Sequence, residues 1–176
     1  MTGLRAGDRN WLPFRAVNLR DRPGFDPGMQ RHHLLPMQLL RQVGTADLFR
    51  AVGRERLRFD DFRRNGLLLP ATDRSALRVG LPLHRGPHRS YNELVSERVG
   101  QIEAGWSRSR CAMPRVAVCD AVIRLELLQR ALRRRLLDQR RRLVLSSKDP
   151  LGTGTDFTEL DALVDELWPA TEVSGP

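Results

Sequence analysis

Leu81-Pro82-Leu83-His84-Arg85-Gly86-Pro87-His88-Arg89-Ser90-Tyr91-Asn92 holds two of the four histidines of this 176-residue chain. The other two are adjacent, in Arg31-His32-His33-Leu34-Leu35-Pro36, and between the clusters stands Asn65-Gly66-Leu67-Leu68-Leu69-Pro70. Imidazole both ligates divalent metals and titrates near neutral pH. A chain that spends every histidine on two short segments is therefore expected to bring them together. Four imidazoles around one point can hold a metal and leave one ring over to handle a proton, which is the makings of a hydrolytic centre.

The spacing refines this. His84 and His88, at i and i+4, can present two imidazoles to one ion. Neighbours on an extended segment point to opposite sides, so one of His32 and His33 can face a metal while the other faces substrate. Asn65, at a turn before a strand, can hydrogen-bond across the loop and hold a base in place. A metal that hydrolyses phosphodiesters needs a few protein ligands, open positions for the phosphate and leaving oxygen, and a separate base for the attacking water. Each piece alone is weak: a single HxxxH pair is common, and Asn-Gly is ordinarily just a turn. The combination carries the reading.

Composition sets the background. A net charge of +9 and a pI near 11.2 make nucleic acid the first candidate partner. Lys148 is the only lysine, however, and a GC-rich genome produces the same arginine bias without selection for binding. Aromatics make up only 6% of the chain, so the core is expected to be built from leucine and valine. Cys111 and Cys119 form no disulfide framework and have no partner at metal-ligand spacing; they are expected to be free thiols packed as small hydrophobes. Met1 to Phe14 contains no apolar run, and no stretch approaches the ~18 consecutive apolar residues of a membrane span. The expected location is the cytoplasm, with no membrane partner.

Residues 1–28, rich in Gly, Pro and Arg, read as an extended or loosely ordered arm whose Trp11 and Phe14 can pin it to the core. Residues 37–52 suggest one or two short helices broken near Gly44 and Gly53, and Leu67-Leu68-Leu69 reads as a short strand. Pro87 to Gly105 reads as a helix with Gly86 as its cap and Tyr91, Leu94, Val95, Val99 and Ile102 on one face. A second apolar stripe runs through 120–137, with the runs Arg133-Arg134-Arg135 and Arg140-Arg141-Arg142 expected as solvated faces. Asp156-Phe157-Thr158-Glu159 makes a capping box for a short acidic helix. The expected organisation is an arm over 1–28, a nuclease-like domain over 29–106, a basic helical extension over 107–145, a linker over 146–155 and an acidic helix and tail over 156–176.

In order, the three blocks His32-His33-Leu-Leu-Pro36, Asn65-Gly-Leu-Leu-Leu-Pro70 and Leu81-Pro-Leu-His-Arg-Gly-Pro-His88-Arg-Ser-Tyr91-Asn92 resemble the AHH family of the HNH/endonuclease VII superfamily. These are nucleases often found as the toxin tips of bacterial polymorphic toxins. The resemblance spans roughly residues 29–105. It implies an α+β, mostly helical fold with a ββα-metal (HNH-type) core followed by a basic helical C-terminal extension. Carried over by motif, His32 is a metal ligand, His33 the general base, and Asn65 orients that base and braces the hairpin. His84 and His88 are metal ligands, although Gly86-Pro87 between them leaves only His88 on the helix. The family's alanine is Arg31 here, a position not expected to do chemistry but able to add a phosphate contact.

The resemblance implies an endonuclease using one divalent ion, Mg²⁺, Mn²⁺, Ni²⁺ or Zn²⁺, to cut DNA in preference to RNA, leaving 5′-phosphate and 3′-hydroxyl ends. Arg85 and Arg89 flank the ligands and are candidates for non-bridging phosphate oxygens. Tyr91 is expected as a core anchor with a secondary polar role. Nucleic acid is the implied partner, and for a toxin of this kind a cognate acidic immunity protein is a further expected partner. The alternative is a non-catalytic module in which the histidines hold a structural zinc and the arginine-rich helix grips nucleic acid. Structural zinc sites usually recruit cysteine, and Cys111 and Cys119 lie away from the motif.

Overall fold

The computed structural model describes residues 11–86 and 88–152. Within them the fold is mixed α/β: five α-helices and one two-stranded sheet. Strand β1 (Met29–His33) pairs antiparallel with β2 (Gly66–Pro70), from Met29 opposite Pro70 to His33 opposite Gly66. β2 is the strand expected from its three leucines, with Leu67 and Leu69 turned into the core. Gly66 is required by packing, because a Cβ there would lie 2.2 Å from the Phe62 ring.

Between the strands run a 3-10 turn (Met37–Leu40), helix α1 (Ala46–Val52) and the single turn α2 (Phe62–Asn65). The break near Gly44 and the stop at Gly53 are both present; Gly53 closes α1 at φ 81°, a left-handed conformation that favours glycine. Asp61 caps α2 by accepting from the Arg63 N–H at 3.0 Å. After β2, α3 (Asp73–Val79) is capped by Thr72, which accepts from the Ser75 N–H at 3.2 Å.

Helices α4 (Arg89–Ser109) and α5 (Pro114–Leu137) pack against each other and share one buried core with Leu67 and Leu69 of β2. α4 buries Tyr91, Leu94, Val95, Val99, Ile102 and Trp106, the expected stripe continued by one further turn. It runs past Gly105 because one helical glycine costs only about 1 kcal/mol, while burying Trp106 returns more than that. Its start differs from the expected one. His88 is the N-cap at φ −96° and ψ 59°, outside helical geometry, so the helix begins at Arg89; Pro87 lies outside the described residues. α5 starts at Pro114, a residue suited to a first turn, and its buried stripe begins earlier than expected because Ala117 and Ala121 belong to it.

Three expectations are corrected. The described part of the N-terminal arm is not loose: the Leu12 carbonyl accepts from the Phe62 N–H at 2.7 Å, and Asn18 ties Asp26 and Met29 together through its side chain. Cys111 and Cys119 are free thiols but exposed, so they do not serve as core packing; Cys119 sits on the outer side of α5, where its sulfur accepts from Arg56 at 3.2 Å. Of the arginine runs, Arg134, Arg140 and Arg141 are solvated, but Arg135 is buried and Arg133 is half-buried. The Arg133 guanidinium donates to the carbonyls of Arg63 and Gly66 at 2.8 and 2.7 Å, closing the C-terminus of α2. The expected acidic helix from Asp156 lies outside the described residues. Among the described residues no helix is long and apolar enough to cross a membrane.

Candidate metal centre

Strand alternation separates the two adjacent histidines. His32 points inward and is only 4% exposed, while His33 emerges on the other face of β1. The His32 ring meets His84 edge-on at 4.8 Å between centroids, His88 at 5.9 Å and Tyr91 at 5.0 Å. His84 and His88 lie 4.3 Å apart. Each of the three offers a ring nitrogen, and these atoms all lie within 4.8 Å of one another. The chain thus gathers three of its four imidazoles, from the middle of a strand and from the two ends of a short loop.

Hydrogen bonds fix which nitrogens are offered. His84 Nδ1 lies 3.1 Å from the side-chain oxygen of Gln30, and His88 Nδ1 lies 3.3 Å from the main-chain oxygen of Leu145. These oxygens can only accept, so each proton sits on Nδ1 and each Nε2 keeps its lone pair, the usual arrangement around a metal-ligating histidine. His32 Nε2 is buried and has no hydrogen-bond partner among the described residues. An unsatisfied buried nitrogen costs roughly 1–3 kcal/mol, and a bound cation would remove that penalty. The donor set therefore fits a divalent ion: three neutral nitrogens suit zinc, nickel and similar metals, with coordination positions left over. The loop that presents His84 is itself anchored, since its N–H donates to the Pro70 carbonyl at the end of β2 at 2.6 Å.

Electrostatics hold two of these rings, His32 and His84, in the uncharged form. Burial pushes His32 well below the ordinary imidazole value, and the neighbouring His84, His88 and His33 push it further. Burial, then His88, lowers His84 to about 4. Both rings are neutral at pH 7 and available as ligands.

His33 occupies a different setting. Phe14 stacks flat on it, with centroids 3.7 Å apart and planes within 5°, and Phe62 meets Phe14 edge-on at 5.2 Å. Arg31 holds this lid by donating to the Phe14 carbonyl at 2.8 Å. Burial lowers the His33 pKa, the Asp60 carboxylate opposes the shift, and Arg54 and Arg31 reinforce it. A neutral imidazole at pH 7 can accept a proton.

Asn65 is wholly buried. Its side-chain oxygen accepts from the Leu35 N–H at 2.8 Å and from Gln129 at 3.3 Å, and its amide donates to the carbonyls of Phe59 at 3.0 Å and Leu35 at 3.3 Å. Its own carbonyl accepts from the Leu34 N–H at 2.8 Å. The asparagine thus clamps the two residues that follow His33 rather than touching the ring. Tyr91 is buried, with its phenol pKa raised by burial, and donates to the Leu34 carbonyl at 2.8 Å.

Arg85 and Arg89 are exposed. Arg89 lines a cleft of about 1400 Å³ between α1, the 3-10 turn and α4, together with Arg41, Arg50 and Arg54. Sequence reasoning missed Gln30 and the Leu145 carbonyl, and it placed Phe14 as a pin for the arm without foreseeing that it stacks on His33. Gln30 was within reach, because it stands two residues before His32 on the same face of β1. Phe14 and Leu145 come from segments far off in sequence, and no spacing announces them.

The profile of a nuclease family of the HNH/ENDO VII superfamily, marked by a conserved AHH, matches residues 14–116, more than half of the chain. The match is wider than the span of the three motifs. It takes in Phe14 and ends in the first turn of α5. The first position of the AHH triplet is Arg31 here. No curated protein and no solved structure matches the chain.

Proposed function

The chain belongs to the AHH family of nucleases in the HNH/ENDO VII superfamily, and from that premise we propose that it is a metal-dependent endonuclease acting on DNA in preference to RNA. In this reading β1, β2 and α4 are the ββα-metal core, and His32, His84 and His88 hold one divalent ion. The observation that carries it is the buried Nε2 of His32, without a hydrogen-bond partner among the described residues and set among two imidazoles whose Nδ1 atoms are already committed.

The ion, when bound, would supply Lewis-acid stabilisation of the charge that builds on phosphorus and on the departing oxygen. The protein's own part is proton handling and positioning. His33, neutral near pH 7, takes a proton from the attacking water; a positioned base of this kind contributes roughly 10²–10⁴-fold. Phe14 on one side of the ring and the Asn65 clamp on the following backbone limit how far His33 can swing. The Tyr91 hydroxyl, bonded to Leu34, supports the same turn of chain from below. Arg89, one residue past His88, and the arginines of the adjoining cleft provide donors for phosphate oxygens. Arg31, engaged with Phe14, acts in this reading first as a support for the His33 lid.

Incubation with supercoiled plasmid tests the proposal. Nicking that requires Mg²⁺, Mn²⁺, Ni²⁺ or Zn²⁺ and stops on chelation supports it, and a parallel RNA substrate tests the preference for DNA. Binding of plasmid with no cleavage in any metal would instead favour a zinc-stabilised binding module.

A further inference from the structure

We infer that the segment 143–149, beyond the family match, is a working part of the metal centre: it fixes the tautomer of His88 and the position of the loop bearing His84. The inference rests on the three-histidine reading above, and it concerns residues that neither the motifs nor the profile includes.

Two contacts carry it. The Leu145 carbonyl accepts the Nδ1 proton of His88 at 3.3 Å, across 57 residues of sequence. The Asp149 carboxylate accepts from the Leu83 N–H at 2.8 Å, across 66 residues, immediately before His84. One segment thus grips the histidine loop near both ends. Without Leu145, neutral His88 can place its proton on either nitrogen, and half of the choice removes the lone pair that faces His32. Without Asp149, Leu83 and with it His84 lose a tether on the side away from β2.

The segment is built to hold that place. Leu143 and Leu145 are buried in the main core, and Ser146 is nearly so. A tight turn follows, in which Asp149 N–H donates to the Ser146 carbonyl and the second Asp149 oxygen accepts from the Leu151 N–H, each at 3.0 Å. The carboxylate is therefore oriented by its own turn, with one oxygen left for Leu83. Outer partners of this sort orient a metal-ligating histidine and typically change metal affinity about 10–100-fold when removed.

The test is zinc affinity of the full chain by competition with a chromophoric chelator, paired with long-range ¹H–¹⁵N spectra that read the His88 tautomer in the metal-free protein. Asp149→Ala should weaken zinc binding about tenfold or more and, by releasing the turn that follows Leu145, mix the His88 tautomers. Asp149→Asn keeps one accepting oxygen, which can still serve the Leu83 N–H at the expense of the Leu151 contact, and should lose clearly less zinc affinity than Asp149→Ala. Equal loss in both variants would replace positioning by a simple charge effect and overturn the inference. Wild-type affinity in Asp149→Ala, with an unchanged tautomer, would overturn it as well and leave the three-histidine site standing. A wild-type chain that binds no zinc, nickel or manganese would remove that site and this inference together.

Discussion

At the scale of single residues, the division of labour between His32 and His33 follows from the pleat. Adjacent side chains on a strand cannot share a face, so one imidazole is buried among nitrogens and its neighbour is laid against Phe14. The two are separable by experiment. His88→Ala should abolish tight zinc binding and leave the fold intact. Phe14→Ala should leave zinc affinity unchanged and lower the turnover rate, because the flat contact with His33, an aromatic pair worth about 0.5–1.5 kcal/mol, is lost; a matching fall in zinc affinity would place Phe14 in the metal site instead. Acid should weaken the metal-free protein for a stated reason. His32 and His84 titrate lower in the folded chain than their ordinary 6.5, so the unfolded chain binds the extra protons first. Stability is then full above about pH 6.5 and is lost as the pH falls toward 4. Thermal melts at pH 7.5, 6 and 5 check this, and a flat profile would contradict burial of neutral imidazoles.

At the scale of elements, the site depends on how β1, α2, β2 and the start of α4 are pinned to one another. Asn65 joins the first three through buried bonds to Leu34, Leu35 and Phe59. Asn65→Ala strands a buried N–H and two carbonyls, each costing about 1–3 kcal/mol when unsatisfied, so a large drop in melting temperature is expected even without substrate. Urea titration measures it; a drop confined to activity would mean that Asn65 acts on chemistry alone. Much of this level was legible in the sequence. The β2 strand stood out as three leucines between a turn and a proline, and the α4 stripe stood out by its period. The two histidine clusters were expected to meet, and three of the four rings do. The start of α4 was not legible, because proline in the first turn and a histidine N-cap give the same local pattern until the backbone angles are seen. Arg135 and Arg133 read as solvated for a similar reason: a charge run has no signature that separates a surface face from side chains drawn inward, as Arg135 is into the core and Arg133 is to the Gly66 carbonyl.

At the scale of the whole molecule, the helix pair α4–α5 is the platform that carries the sheet and histidine loop, and α5 reaches back through Gln129 and Arg133 to the clamp around Asn65. What the sequence could not display was this return path, since contacts across 57 to 71 residues leave no trace in local spacing. The charge of +9 acts at this scale too. Affinity for a DNA duplex should fall steeply with salt, with a log–log slope near −0.9 per phosphate neutralised, and Arg89→Ala together with Arg41→Ala should flatten that slope while zinc affinity stays as it was. In the proposed reading a three-histidine metal centre and a separate base act together on one phosphodiester. The most direct measurement is plasmid cleavage by His33→Ala after one equivalent of metal is shown to be bound. Metal held as tightly as in the wild type, with the nicking rate down by roughly 10²-fold or more, is the predicted result; wild-type cleavage by metal-loaded His33→Ala would contradict it.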